Sequence, residues 1–186
     1  MIPIDILSVV AFSSKASWDN PKWVVQTSRA DMLEDYKHWS PKVRSLLEHV
    51  QSPDIWALFN HLPAPTYYCA SPLIGLVGDA AHATTPHQGS GAGMCIEDVY
   101  ILSGLLSKCH SKDAVAKALY AYDAVRRPRS QELVKTSREA GMLWEFEGAD
   151  VGDDLEKFEQ NAVKRMDWIW DHDITQDLDR ASTMMR

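Results

Sequence analysis

Residues able to do chemistry concentrate in one stretch, Leu76-Val77-Gly78-Asp79-Ala80-Ala81-His82-Ala83-Thr84-Thr85-Pro86-His87-Gln88-Gly89-Ser90-Gly91-Ala92-Gly93-Met94-Cys95-Ile96-Glu97-Asp98. Glycines at alternate positions 89, 91 and 93 let the backbone approach a planar or anionic ligand with no Cβ in the way. The apolar run 73–77 reads as a strand leading into the stretch. From Ala92 onward Cys95, Val99, Leu102 and Leu106 recur at helical spacing and read as the inner face of a helix. The expected arrangement is a strand, a long loop and a helix N-terminus whose free N–H groups and positive dipole end face negative charge. A carboxylate at Asp79 would repel phosphate but accept hydrogen bonds from ribose-like hydroxyls. Together these features suit a nucleotide-like cofactor, with a sugar near the strand end and an anionic ring near the helix.

Other chemistries fit the stretch less well. It lacks the Gly-Lys-Ser/Thr of a phosphate-binding P-loop and is not the dinucleotide fingerprint. Asp79, His82 and His87 are residue types that ligate metals, but their spacing matches no common zinc pattern, so no metal is expected. Glycines at alternate positions also mark ordinary turns, so their spacing alone does not choose a ligand.

The elements that must position this loop are legible in part. Residues 4–12 read as a buried strand and 23–26 as its partner, separated by Asp19-Asn20-Pro21. Ser28 with Asp31 forms a weak capping box. Ser40-Pro41 starts a helix with Val43, Leu46, Leu47 and Val50 on one side. Residues 55–59 fit either a strand or a helix end. Residues 62–66 break regular structure. Ser111 caps a helix with Val115, Ala118, Leu119 and Tyr122 on its inner face, and Pro128 is expected to begin a new one. Arg126, Arg127 and Arg129 suggest an anion site or, more plainly, a solvated helix junction with salt bridges to the acidic excess of the tail. Trp56, Tyr67, Tyr68 and Trp144 fit a cavity lining or a core equally. Residues 150–186 read as a solvated helix and strap, with Trp168 and Trp170 docked on the main body.

Bulk properties exclude several classes. The 186 residues are 45% hydrophobic and 24% charged, the balance of a globular protein. A net charge of -7 argues against nucleic acid, which needs clustered Lys and Arg. Cys69, Cys95 and Cys109 form no C-x-x-C pair and suggest a reducing compartment. There is no membrane span and no signal peptide in the sequence, so a cytoplasmic location is expected.

The string from Gly78-Asp79-Ala80-Ala81-His82-Ala83 through Pro86, Gly89, Gly91 and Glu97-Asp98 resembles the second FAD motif of the flavoprotein aromatic monooxygenases of the salicylate-hydroxylase type, especially their fungal members. Tyr122, Arg126-Arg127-Pro128-Arg129 and Ser137-Arg138-Glu139-Ala140-Gly141 resemble the helix that follows, and residues 168–173 resemble the family's C-terminal segment. The resemblance implies the C-terminal portion of an FAD/NAD(P)-binding (PHBH-like) α/β fold, α+β in this part. Its expected divisions are 1–72, a remnant of the substrate-domain sheet; 73–148, the second FAD motif with its helices; and 149–186, an acidic tail. It also implies hydroxylation of an aromatic, salicylate-like or polyketide-like substrate with NAD(P)H and O2. Gly78 and Asp79 would meet the pyrophosphate and ribityl or ribose portions of FAD. Gly89, Gly91, Ala92, Gly93 and Met94 would meet its pyrimidine edge. Pro86 would lie against the ring near the substrate, while Glu97 and Asp98 would serve as helix-dipole partners and not as catalysts. His87, next to Pro86, reads either as a substrate contact or as a surface or hydrogen-bonded histidine. No acid–base residue is assigned.

The family's N-terminal βαβ unit, with its G-x-G-x-x-G, and its central Asp-Gly motif are absent from this sequence. Weak FAD binding and no hydroxylation are therefore expected of this chain alone. It would be part of a monooxygenase, a truncated flavin-free protein acting on a small aromatic or polyketide-like molecule in a non-redox step, or a half that pairs with a complementing N-terminal partner. A homodimer would cover the strand edge expected at 4–12.

Overall fold

The computed structural model describes residues 9–15 and 17–186, in two compact units, Met1–Leu58 and Phe59–Arg186. The first holds strand β1 (Val24–Gln26), helices α1 (Arg29–Asp35) and α2 (Pro41–Leu47), and strand β2 (Asp54–Trp56). Ser28 caps α1 by accepting from the Asp31 N–H, and Ser40 caps α2 by accepting from Val43. Both caps follow the sequence expectation, because a Ser oxygen satisfies an amide that the first turn leaves without a carbonyl. The partner of β1 differs from the expectation. It is β2, antiparallel, with Val25 opposite Ile55. The strand expected at 4–12 lies mostly outside the described residues, and residues 9–12 form no regular element.

In the second unit, β3 (Tyr68–Ala70) and β4 (Leu73–Gly75) make an antiparallel hairpin. β4 leads through Leu76 and Val77 into the short helix α3 (Asp79–His82), a 3-10 turn (Pro86–Gln88) and helix α4 (Gly91–Leu106). The expected strand at 73–77 therefore ends at Gly75. Helix α5 (Lys112–Trp144) follows, then α6 (Leu155–Lys164), α7 (Asp167–Trp170) and α8 (Ile174–Met184). The core lies where α4, α5 and α8 meet, around Ile101, Leu105, Ala118, Ala121, Tyr122, Val125 and Ala181. Small antiparallel ribbons with helices make this an α+β arrangement.

Two expectations about the helices are overturned. α5 runs for 33 residues straight through Pro128. A mid-helix proline removes one hydrogen bond and crowds the preceding turn, at a cost of about 3 kcal/mol. Here Glu97 of α4 holds both sides of that weak point, ion-paired with Arg126 Nη1 at 2.7 Å and accepting from Arg129 Nε at 2.9 Å. The buried face of α4 is not the expected Cys95, Val99, Leu102 and Leu106 line. It is Met94, Asp98, Ile101 and Leu105, one residue out of step, and Val99 is 54% exposed. A polar residue, Asp98, sits in the middle of that face, which is why apolarity alone misplaced it.

α5 also acts as a ruler for the loop. Asp123 accepts from the Tyr67 N–H, and the Ser130 hydroxyl bonds the Tyr67 hydroxyl. Ser137 donates to the Thr85 carbonyl, and Gly141 lies under the His87 ring. These positions share one helical face, so a rigid helix fixes the loop at several points along its length.

Candidate functional site

The loop begins on a conformation only glycine holds comfortably. Gly78 has φ 61°, and a Cβ there would stand 2.9 Å from Cys95 Sγ. Its N–H donates to Asp98 Oδ2 at 3.0 Å. The same oxygen meets His82 Nε2 at 2.6 Å, and Asp98 Oδ1 accepts from Arg126 Nε at 2.9 Å. His82, Asp98 and Arg126 are all buried. Burial pushes the Asp98 carboxyl up, but His82, the Gly78 N–H and Arg126 outweigh it and hold the group below its usual range. Glu97 is likewise held low against burial, chiefly by Arg129 and Arg126.

This knot corrects two expectations. Arg126 is buried and pairs with Glu97 and Asp98 of α4, not with the acidic tail. Glu97 and Asp98 are ion-pair anchors between helices and not partners of the helix dipole. A signal for it was present in the sequence, since Arg126 falls on the same helical line as Leu119, Tyr122, Ser130 and Leu133, and Asp98 on that of Met94 and Ile101.

Asp79 points the other way. It is exposed in the first turn of α3, and no described residue bonds its carboxylate. Beyond the 3-10 turn, Gly89 has φ 60°, which accounts for glycine at that position. A Cβ on Gly91 would meet Thr84 Cγ2 at 3.2 Å. Gly93 has neither reason. It lies inside a helix at ordinary angles, with nothing within 4 Å of where its Cβ would stand. No side chain caps α4, because Ser90 Oγ donates to the Gln88 carbonyl instead. Ala92 and Gly93 are exposed. Met94 is different: its side chain is buried against the Arg126 guanidinium and its N–H already bonds Ser90 O. Little of Met94 is left to meet a ligand.

Pro86 is exposed, and His87 is half-buried over Gly141. Burial pulls the His87 imidazole below its usual range, with Glu145 opposing. At neutral pH the ring is uncharged. A Cβ on Gly141 would stand 2.7 Å from His87 Cε1, so Gly141→Ala should displace the ring and destabilise the fold by about 1–3 kcal/mol. Thermal melts would measure the loss. Proton NMR should show the His87 pKa returning toward the ordinary value as the ring leaves its seat.

Of the aromatic candidates, Tyr67 is fully buried core, whereas Trp56 is largely exposed. Trp168 lies 5.3 Å from the Arg129 guanidinium, but Trp170 is 70% exposed and is not docked as expected. The described residues contain no group of His, Cys, Asp and Glu able to hold a metal ion. No described helix is long and apolar enough to cross a membrane.

A family profile described as FAD binding domain matches residues 71–137, which span β4, the loop, α4 and most of α5. The chain is 39% identical over 183 residues to a salicylate hydroxylase of Pseudomonas putida, covering 95% of this chain and 42% of that protein. The chain is a relative of the salicylate-hydroxylase-type FAD-dependent monooxygenases. A 6-methylsalicylate 1-monooxygenase of Aspergillus terreus is 37% identical, with 92% of this chain and 39% of that protein covered. Among solved structures, a salicylate hydroxylase substrate complex superposes with TM-score 0.82 at 38% identity, covering 90% of this chain and 41% of that one. This monooxygenase relative thus spans about two fifths of the length of the proteins it matches, and FAD is the cofactor the resemblance implies.

The residues present fit the ring end of that cofactor. An uncapped 16-residue helix offers free N–H groups, and the Cβ-sized space at Gly93 opens the approach to them.

Proposed function

We infer that this chain supplies the flavin-ring and ribityl contacts of an FAD-dependent monooxygenase that hydroxylates an electron-rich aromatic with NAD(P)H and O2. The carrying observation is Gly93. A glycine in a helix interior costs about 1 kcal/mol relative to alanine, and in the first turn of α4 nothing in the packing of the described residues asks for one. A ligand lying against the helix N-terminus supplies the missing reason. Bound flavin brings hydride acceptance and oxygen activation, and the protein brings orientation and dryness.

Each residue then has a task. Asp79, exposed and unpaired among the described residues, accepts hydrogen bonds from the ribityl hydroxyls. The N–H groups of Gly91, Ala92 and Gly93 face the pyrimidine edge, where the dipole of α4 favours negative charge. Pro86 offers a rigid apolar face beside the ring. His87, neutral at pH 7, accepts from or donates to the hydroxyl of an aromatic substrate. These contacts serve the flavin end of FAD, so flavin mononucleotide should bind as well as FAD does, and both weakly.

The test is a fluorescence titration of this chain with flavin mononucleotide, paired with thermal melts. Gly93→Ala should melt no lower than wild type, because it improves helix propensity, yet bind flavin at least about tenfold more weakly, a loss of about 1.4 kcal/mol. Equal affinity in the two proteins, or no binding to wild type at millimolar flavin, would remove this reading.

A further inference from the structure

The segment 165–169, between the end of α6 and the middle of α7, bonds Gln88, just before the glycine stretch 89–93, and Arg129, which holds Glu97 just after it. On the N-terminal side stands Gln88, buried at the end of the 3-10 turn. Its Nε2 donates to the Arg165 carbonyl at 3.3 Å and approaches Met166 Sδ at 3.7 Å, while its Oε1 accepts from Thr136 Oγ1 at 2.7 Å. On the C-terminal side stands Glu97 of α4, gripped by Arg129 through two parallel bonds of 2.9 Å. Two of the other three donors of that guanidinium go to segment 165–169. Nη1 bonds the Trp168 carbonyl at 3.0 Å, and Nη2 bonds the Ile169 carbonyl at 3.1 Å. Arg165 anchors the segment in turn, donating to the Thr136 carbonyl of α5 at 3.0 Å.

Planar, bidentate and charge-assisted contacts of this kind fix direction as well as distance. The segment gives two backbone carbonyls to one arginine, and a third to the glutamine that precedes Gly89.

We propose that Gln88 and Arg129 are positioning residues, through which segment 165–169 braces the stretch 89–93 at its two ends. Their importance for flavin rests on the function inferred above, whereas the brace itself does not. The stretch has little side-chain mass to hold its own shape, so its geometry is imposed from the flanks. The C-terminal segment thereby becomes part of the ligand site without touching the ligand.

The test reads two hydrogen-bonded amides that close the ends of the stretch in the isotopically labelled chain. Gly89 N–H bonds the Pro86 carbonyl and Met94 N–H bonds the Ser90 carbonyl. Hydrogen exchange by NMR should quicken at both amides by about tenfold in Gln88→Ala and in Arg129→Met, with the amides of Leu105 and Ala121 unchanged. Arg129→Lys keeps a charge for Glu97 but loses the fork, so it should quicken the same two amides and serves if the methionine variant does not fold. Gln88 and Arg129 act through one segment, so the double variant should be no worse than the more severe single variant. A uniform rise at all four amides, or fully additive effects, would overturn the brace. Flavin mononucleotide titrations of the same proteins should weaken in parallel with the exchange. If wild type binds no flavin, the functional reading falls while the exchange result still decides the brace.

Discussion

Replacing Arg126 with methionine is expected to destabilise the fold by about 3–5 kcal/mol, enough to unfold a marginal domain. The side chain is fully buried and sits between Asp98 and Glu97, at 2.9 and 2.7 Å. Methionine fills much of the volume but takes the arginine from buried Asp98 and leaves Glu97 with Arg129 alone. The loss arises from the uncompensated buried Asp98 carboxylate more than from the missing attraction. The damage should also reach the loop, because Asp98 holds the Gly78 N–H and His82 in the same grip. Urea unfolding followed by tryptophan fluorescence would measure it. A loss below about 1 kcal/mol, the range of an exposed pair, would mean that water or protonation relieves the site and that the knot is not dry.

Asp98→Asn is the second large effect, at about 3 kcal/mol near neutral pH, and it should carry a pH signature. In wild type the folded Asp98 carboxyl sits below its usual range, so the unfolded chain takes up its proton first as pH falls. The contribution is fully present above the ordinary carboxylate value of about 3.9 and is lost as pH drops through the folded value. Glu97 behaves in the same sense. Wild type should therefore lose stability steeply in acid, while the asparagine variant starts lower and falls less steeply, lacking the Asp98 part. Urea midpoints from pH 7 to pH 3 would show whether the curves converge. Parallel curves would mean that Asp98 does not titrate with unfolding.

The two effects share a cause, which is that the loop has no stiffness of its own. Alanines and glycines supply half of residues 78–93, and glycine loses more backbone freedom on ordering than any other residue. Stiffness comes from α5, whose Asp123, Arg126, Ser130 and Ser137 bind the Tyr67 amide, Asp98, the Tyr67 hydroxyl and Thr85 in turn.

Sequence by itself determined the caps at Ser28, Ser40 and Ser111, because capping is a contact between residues two or three apart and needs no tertiary partner. It also determined the family resemblance, since Gly78-Asp79 through Glu97-Asp98 is a contiguous string with fixed spacing. Tertiary structure decided the rest. The strand at 24–26 met 54–56, a pairing that local pattern does not encode. Pro128 stayed inside a helix because Glu97, 31 residues earlier in the chain, holds both flanking arginines. Asp98 and Arg126 lie on apolar lines yet carry charge, so hydrophobic periodicity shifted the inner face of α4 by one residue and left Arg126 in solvent. Their burial depends on each other, and pairing across separate helices is a property of the assembled fold.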